Sequence, residues 1–546
     1  MDYLRINTLG QLPPHVEVPA YDVNKVTVGI AHFGATSAFG AANTMPFIDS
    51  AMNVQAIRGM PTDLGVVAVK TTSGVLPEHL SARQNSQDGL YTVTGLNGKD
   101  HVRVIGAVRE IVNYGADPAG VIDRLADPKI KIFTITGTQA GYLTDKTGRN
   151  LDANNEFVQK DLRDPWRPVT LPGIITAVLA KREANGVEPP MIISCDNLAG
   201  NGKILGNVLN QYAEQAGIVT AGYMQRVQTP DTMVDRITPK QDHDANGQRL
   251  QRHGIIDTGA IVTEGKFSRW TIEQPKETDI RLGALAAGGV QIVRDLAPYE
   301  DMKIRGLNGT HLALGLVGTL SGKTHVHEAM ADPIIRPFIS KLLDQTAATV
   351  HLPVKDTSAL RPEVMSRFDN AEMPDTLSRL LKETSSKVSA RLVNYEAIKE
   401  GKGYEASAFA VAAWVRFIRG DDRFGNRADI TDKRGEGLSN EIMSAGFKMD
   451  KFLTTQAGAA VFDVQRLGAE GEGHRVAKPF IDLVDKFYTD ISGSGVKKAM
   501  ERAFGRDEAL VAKQDAAEKQ MQGEEPQRPP ARRRFGGNDP NPGQQG

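Results

Sequence analysis

Short apolar runs alternate with amphipathic stretches through the first half of the chain. VTVGIAHFG, with 27–34 at its heart, is apolar at almost every position and ends in glycine. Such a run suits a strand buried on both faces, as in a parallel sheet. LGVVAVK (64–70) is a second, and further strands are expected around 89–95, 101–108, 129–136 and 190–195. Between them, GATSAFGAAN is a small-residue turn leading into a helix, and helices are expected at 76–86, 173–186 and 202–216. Gly186 and Gly217 stand where helix C-caps belong. Strands alternating with helices predict an open, mostly parallel α/β sheet with helices on both faces.

After about residue 295 the pattern changes. Helical signals run through 303–320, 334–348, 362–368, 375–399, 405–419 and 440–505, and strand runs are few. The expected organisation is an N-terminal arm (1–25), a Rossmann-like dinucleotide-binding domain (26–295), a largely α-helical C-terminal domain (296–511) and a disordered tail (512–546). Pro13, Pro14 and Pro19 oppose regular structure in the arm. The tail is rich in Gln, Glu, Pro, Arg and Gly, too polar to order itself. Its Arg532, Arg533 and Arg534 form a short basic patch, read as part of a solvated tail, with polyanion contact as the lesser alternative.

Composition adds mainly exclusions. The 546 residues allow two or three domains. A formal net charge of −1 gives no reason to expect nucleic acid or an anionic membrane as partner. One cysteine, Cys195, excludes an intrachain disulfide framework and a cysteine-built metal site, and fits a reducing, cytoplasmic setting. The N-terminus lacks a basic segment followed by an apolar core, and no apolar run approaches a membrane span.

Candidate chemistry concentrates in KIRGLNGTHLALG (303–315), which places Lys303, Asn308 and His311 within nine positions. On an α-helix His311 lies about 80° from Lys303 and Asn308 about 140°, so one arc could show all three to a cleft. These types can remove a proton from an alcohol and hold the resulting oxygen. A solvated lysine, a capping asparagine and a satisfied histidine at an ordinary helix start fit the pattern equally well. Gly29, Gly34 and Gly40 follow a strand–turn–helix order suited to phosphate, but Thr36 stands where a second glycine is expected. The second strand ends in Lys70, Thr71, Thr72 and Ser73 rather than an acid. That suits a 2′-phosphate better than a free 2′-hydroxyl, unless Lys70 is only a surface lysine. SCDNLAGNG puts Asn197 at the carboxyl edge of the sheet, as an oxyanion donor or a turn residue. Asp235 and Arg236 are expected in a loop. Arg379 and Lys387 are eight apart, on one broad helical face or a solvated basic one.

In order, VGIAHFG, SCDN with NG following, MVDRITP, PYEDMKIRGLNGTHLALG, DTLSRL…SSK and AFAVAAWVRFIRGDDRFGN resemble the long-chain polyol dehydrogenases. This is the mannitol 2-dehydrogenase family, which includes the fructuronate and tagaturonate reductases. The resemblance runs from about residue 10 to 500. It implies a metal-independent, NAD- or NADP-dependent enzyme acting on a polyol, ketose or hexuronate. It casts Lys303 as general base, Asn197 and Asn308 as holders of the reacting oxygen, and His311 as a positioning residue. Glu300 would pass the proton to water, and Asp235, Arg379 and Lys387 would bind substrate. The family's G-x-G turn with F-H-R-A-H and its acidic pair after the second strand are missing, so cofactor choice is the open part. The alternatives are a hexuronate reductase and a non-catalytic relative that binds a sugar or nucleotide.

Overall fold

The computed structural model describes residues 3–34, 37–72, 77–95, 102–265, 267–275, 279–420, 432–467 and 474–523. The chain forms two compact units, Met1–Gly309 with Thr346–Pro374, and Thr310–Gln345 with Asp375–Gly546. The return of 346–374 to the first unit has no counterpart in the single boundary expected near 295.

The first unit is built on a five-stranded, all-parallel sheet. Its spatial order is Val108–Asn113, Gly65–Lys70, Val28–Phe33, Ile132–Ile135, Met191–Ser194. Alternate side chains along each strand enter different cores, as the pleat requires. Ile30, Val66, Ala68, Ile132 and Ile193 meet Met45, Ile48 and Met52 of the helix Met45–Ile57. Ala31, Val67, Val69, Phe133 and Ile192 meet Ile174, Val178, Leu205 and Leu209 of the helices Leu171–Ala184 and Asn201–Ala216. The order reverses beside Val28–Phe33, and open α/β sheets bind ligands at the carboxyl ends flanking such a reversal.

Four expectations are corrected here. The single strand at 101–108 is two strands, Val102–Ile105 and Val108–Asn113, which join different sheets. The chain changes sheet at Gly106, whose N–H is held by Asp49 Oδ1 at 2.9 Å. The N-terminal arm contains a 3₁₀ turn, Ile6–Gln11, and a strand, Val16–Glu17, paired with Val102 and Arg103. Leu4, Val16, Tyr21 and Val23 are buried, and their burial outweighs the prolines. Asp235 ends a strand, Thr232–Asp235, antiparallel to Arg269–Glu273, rather than lying in a loop. The disordered tail expected from 512 is helical to Gly523, within Glu508–Gly523, because Ala, Glu, Lys, Gln and Leu there are strong helix formers. Residues 524–546, including Arg532, Arg533 and Arg534, lie outside the described residues.

The second unit is helical. Its central helix, Glu405–Arg419, is buried along nearly its whole length. Phe409 packs 5.2 Å from Phe338, 5.2 Å from Phe487 and 5.3 Å from Phe504, centroid to centroid. The helix expected over 375–399 is four short turns: Leu377–Leu380, Thr384–Ser386, Val388–Leu392 and Tyr395–Glu400. Glu383 adopts a left-handed φ of 51°. Ser385 N and Oγ donate to Asp432 at 2.7 and 2.8 Å, as does Thr384 Oγ1 at 3.1 Å. Such side-chain bonds compete with helical ones. Among the described residues no helix is long and apolar enough to cross a membrane.

Candidate active site

The helix expected over 303–320 begins as a π-helix, Met302–Gly309, and becomes α-helical at Thr310–Leu320. Because a π-helix bonds i to i+5, residues five apart, such as Lys303 and Asn308, come nearer one face than the α-helical estimate allowed. π-segments inside helices recur at functional sites. Gly306 lets the segment pack closely, since a Cβ there would meet Leu360 Cδ1 at 2.7 Å. Arg305 braces the turn, donating to Asp301 Oδ1 at 2.7 Å and Thr349 Oγ1 at 2.8 Å.

Lys303 is buried, with its ammonium donating to Asn197 Oδ1 at 2.9 Å and to the Val234 carbonyl at 2.7 Å. Burial is the largest influence and lowers its pKa from the ordinary lysine range; Asp235 and Glu300 oppose this and Arg367 assists. Glu300 accepts from the Gly200 N–H at 3.3 Å, and burial raises its pKa. The structure therefore brings together Lys303, Asn197, Glu300 and Asp235, and Asn308 lies half-buried on the same π-segment.

Asp235 is held at both oxygens by Arg367, whose Nη1 and Nη2 lie at 3.1 and 3.2 Å. The same guanidinium grips Glu264 through Nε at 2.8 Å and Nη2 at 2.9 Å. Glu264 in turn accepts from the Ile237 N–H at 2.7 Å and so pins the exit of the strand. Sequence reasoning missed both Arg367 and Glu264. The one local cue is that Glu264 follows the strand Ile261–Thr263. Arg236 points elsewhere, donating to the carbonyls of Ala42 at 3.0 Å and Gly265 at 2.8 Å, and burial lowers its pKa to about 10.

At the carboxyl edge of the sheet lies a cleft of about 680 Å³, lined by Phe33, Gly34, Thr71, Thr72, Tyr114, Thr136, Phe157 and Arg167 among others. Gly34 has φ +94°, and a Cβ there would stand 2.4 Å from the Thr136 carbonyl oxygen. A Cβ on Gly40 would meet His32 Nε2 at 2.6 Å. Burial lowers His32 to about 3, so it stays neutral, bonded through Nδ1 to Thr134 Oγ1 at 2.5 Å. Asp196 ties the neighbouring loop to the sheet, accepting from Gly137 N at 3.0 Å, Thr138 N at 2.8 Å and Tyr142 Oη at 2.7 Å.

Two expectations change at this edge. Gly29 is not part of the turn: it sits near the other end of its strand, where a Cβ would stand 2.0 Å from the Asp63 carbonyl oxygen. Its role is close packing of chain on chain. Lys70 is no surface lysine; it is buried, and Nζ donates to the Thr72 carbonyl at 2.5 Å. Thr36 and Ser73 lie outside the described residues.

His311, Arg379 and Lys387 belong to the second unit. His311 is half-buried near the start of Thr310–Leu320. Arg379 and Lys387 do not share a helical face: Arg379 ends up on Leu377–Leu380 and Lys387 just before Val388–Leu392. Arg379 is exposed and paired with Asp375, with Nε 2.5 Å from Oδ1. Lys387 donates to the Lys382 carbonyl, and its pKa is lowered by burial and by Arg391.

Comparison with known proteins is consistent along the chain. Residues 28–283 match the mannitol dehydrogenase Rossmann domain and residues 295–467 the mannitol dehydrogenase C-terminal domain. The uncharacterized oxidoreductase YeiQ of Escherichia coli is 32% identical over 82% of this chain and 91% of its own. Substrate-free D-sorbitol dehydrogenase superposes with a TM-score of 0.78 at 28% identity, covering 91% of this chain and 100% of that one. The Pseudomonas fluorescens mannitol 2-dehydrogenase ternary complex with NAD and D-mannitol gives a TM-score of 0.66 at 29% identity, covering 92% and 99%.

Proposed function

Since the chain belongs to the mannitol dehydrogenase family of oxidoreductases, we propose that it moves a hydride between a polyol's secondary alcohol and a nicotinamide cofactor, with Lys303 as general base and no resident metal. The observation that carries this reading is the Lys303 ammonium, buried and held at 2.9 Å by Asn197 and 2.7 Å by Val234 O. A lysine so placed is aimed by its neighbours and disfavoured as a cation by its surroundings. In oxidation it accepts the hydroxyl proton. The Asn197 amide, whose oxygen faces Lys303, and the Asn308 amide donate to the developing alkoxide. Glu300, beside Lys303 in charge and raised in pKa, takes the proton onward to water. The family resemblance further gives His311 a positioning role and Asp235, Arg379 and Lys387 substrate-binding roles. In the opposite direction the same lysine, protonated, would donate its proton to the oxygen of a ketose or hexuronate carbonyl as it is reduced.

The nicotinamide supplies the hydride acceptor. Gly34 holds the turn at φ +94°, where a Cβ would strike the Thr136 carbonyl, and this turn borders the cleft. Gly40 supports the turn, and Thr71 and Thr72 line the cleft. The test is a panel of polyols, ketoses and hexuronates offered with NAD and NADP in both redox forms, followed by the absorbance of the reduced nicotinamide. Turnover confined to hexuronates would move the assignment to a uronate reductase. No turnover on any member would favour the non-catalytic binding relative.

Cofactor choice gives a separate prediction. Among the described residues the cleft lining contains no Asp or Glu, and Arg167 is its cation. A carboxylate at the second strand end would repel a 2′-phosphate, and here Lys70 and two threonines replace it. NADP is therefore expected to be used at least as well as NAD. Lys70→Ala is expected to lower kcat/KM for NADP more than for NAD, through loss of its charge and of its hold on the Thr72 carbonyl. A strong native preference for NAD, unmoved in Lys70→Ala, would contradict this.

A further inference from the structure

Val234 and Asp235 are consecutive at the end of one strand, and both bear on Lys303. The Val234 carbonyl anchors its Nζ at 2.7 Å. Asp235 exerts the stronger of the two opposing carboxylate influences on Lys303, yet both its oxygens are engaged by Arg367 at 3.1 and 3.2 Å. The guanidinium is itself largely enclosed, its side chain 7% exposed, bound on its other edge by Glu264 at 2.8 and 2.9 Å and covered by the Phe267 ring 4.3 Å from Cζ. The charged groups facing Lys303 are thus Asp235, Arg367 and Glu300, with Glu264 behind Arg367, and Asp231 and Lys203 behind Glu300. A carboxylate not engaged by Arg367 would be the natural ion-pair partner of the ammonium and would keep the proton on it.

We propose that Arg367 is a positioning residue that holds the Asp235 carboxylate to itself and so leaves Lys303 able to give up its proton. This rests on Lys303 being the base. The directions of the electrostatic influences on Lys303 agree: Asp235 favours its charged form and Arg367 disfavours it. The paired arrangement also explains how two acids sit buried beside a lysine that works as a base. One arginine satisfies all four carboxylate oxygens in two-pronged contacts, the strong form of this interaction.

The experiment is the pH profile of kcat for polyol oxidation at saturating cofactor. Arg367→Gln removes the clamp. Arg367→Gln with Glu264→Gln removes one charge of each sign and keeps the buried charge balanced if the single variant unfolds. In either, the alkaline-rising limb is expected to move up by at least about one pH unit, costing kcat about tenfold near neutrality and recovering at high pH. Adding Asp235→Asn is expected to bring the limb back, and Arg367→Lys to leave it close to native. A limb that belongs to Lys303 but stays in place in both clamp variants, with only KM raised, overturns the proposal and makes Arg367 a binding or structural residue. A native limb that survives Lys303→Ala defeats the base assignment instead, and this inference with it.

Discussion

Lys303→Ala is expected to lower kcat for polyol oxidation by at least about 10²–10⁴-fold, the range general-base catalysis supplies. The proton leaves only as the transition state forms, so the loss should fall on kcat more than on KM. The fold should survive. The lysine's two bonds are to a side-chain amide and a carbonyl. Its removal deletes a buried cation whose charge the site disfavours. Far-ultraviolet circular dichroism and the unfolding midpoint check the fold, and single-turnover hydride transfer checks the chemistry. Near-normal turnover in the variant would end the assignment.

Asp49→Ala is expected to destabilise the first unit by about 3–5 kcal/mol, the usual effect of breaking a buried ion pair on one side. Asp49 is fully buried and accepts from Tyr21 Oη at 2.5 Å, Arg103 Nη2 at 2.6 Å and Gly106 N at 2.9 Å. Those donors come from the N-terminal segment, from the strand Val102–Ile105 and from the bend after it, where the chain leaves one sheet for another. Alanine would strand the Arg103 charge and two further donors at once. Asp49→Asn keeps one acceptor and should cost less. Urea unfolding of the three proteins reads the effect. A shift within about 0.5 kcal/mol, ordinary for an exposed substitution, would mean the cluster is incidental.

What was legible in the sequence follows from how far apart the cooperating residues lie. Strands such as Gly65–Lys70 are buried on both faces, so each announces itself as an apolar run. The short strands Thr232–Asp235 and Arg269–Glu273 mix charged with apolar residues and show only once they pair. Lys303, Asn308 and His311 stood out as candidates because they and the motif that carries the family resemblance fall in one short stretch. Its π-helical winding was not legible, because the sequence pattern there reads equally well as an α-helix. The clamp is less legible still: Arg367 lies 132 residues from Asp235 and 103 from Glu264. No local pattern records such a pairing. Lys70 was found as a strand-end cation, but its burial against Thr72 O was not, since both readings of it assumed an exposed side chain.

The central claim is that Lys303 is the base, and its titration tests that most directly. A base must be unprotonated to act, so kcat for oxidation rises with pH through its pKa. Burial lowers that pKa, so the limb should be centred below the ordinary lysine value of about 10.4. Measured at saturating polyol and cofactor, native protein should show this single rising limb, and Lys303→Ala should show residual turnover without it. The same limb at the same midpoint in Lys303→Ala would contradict the account.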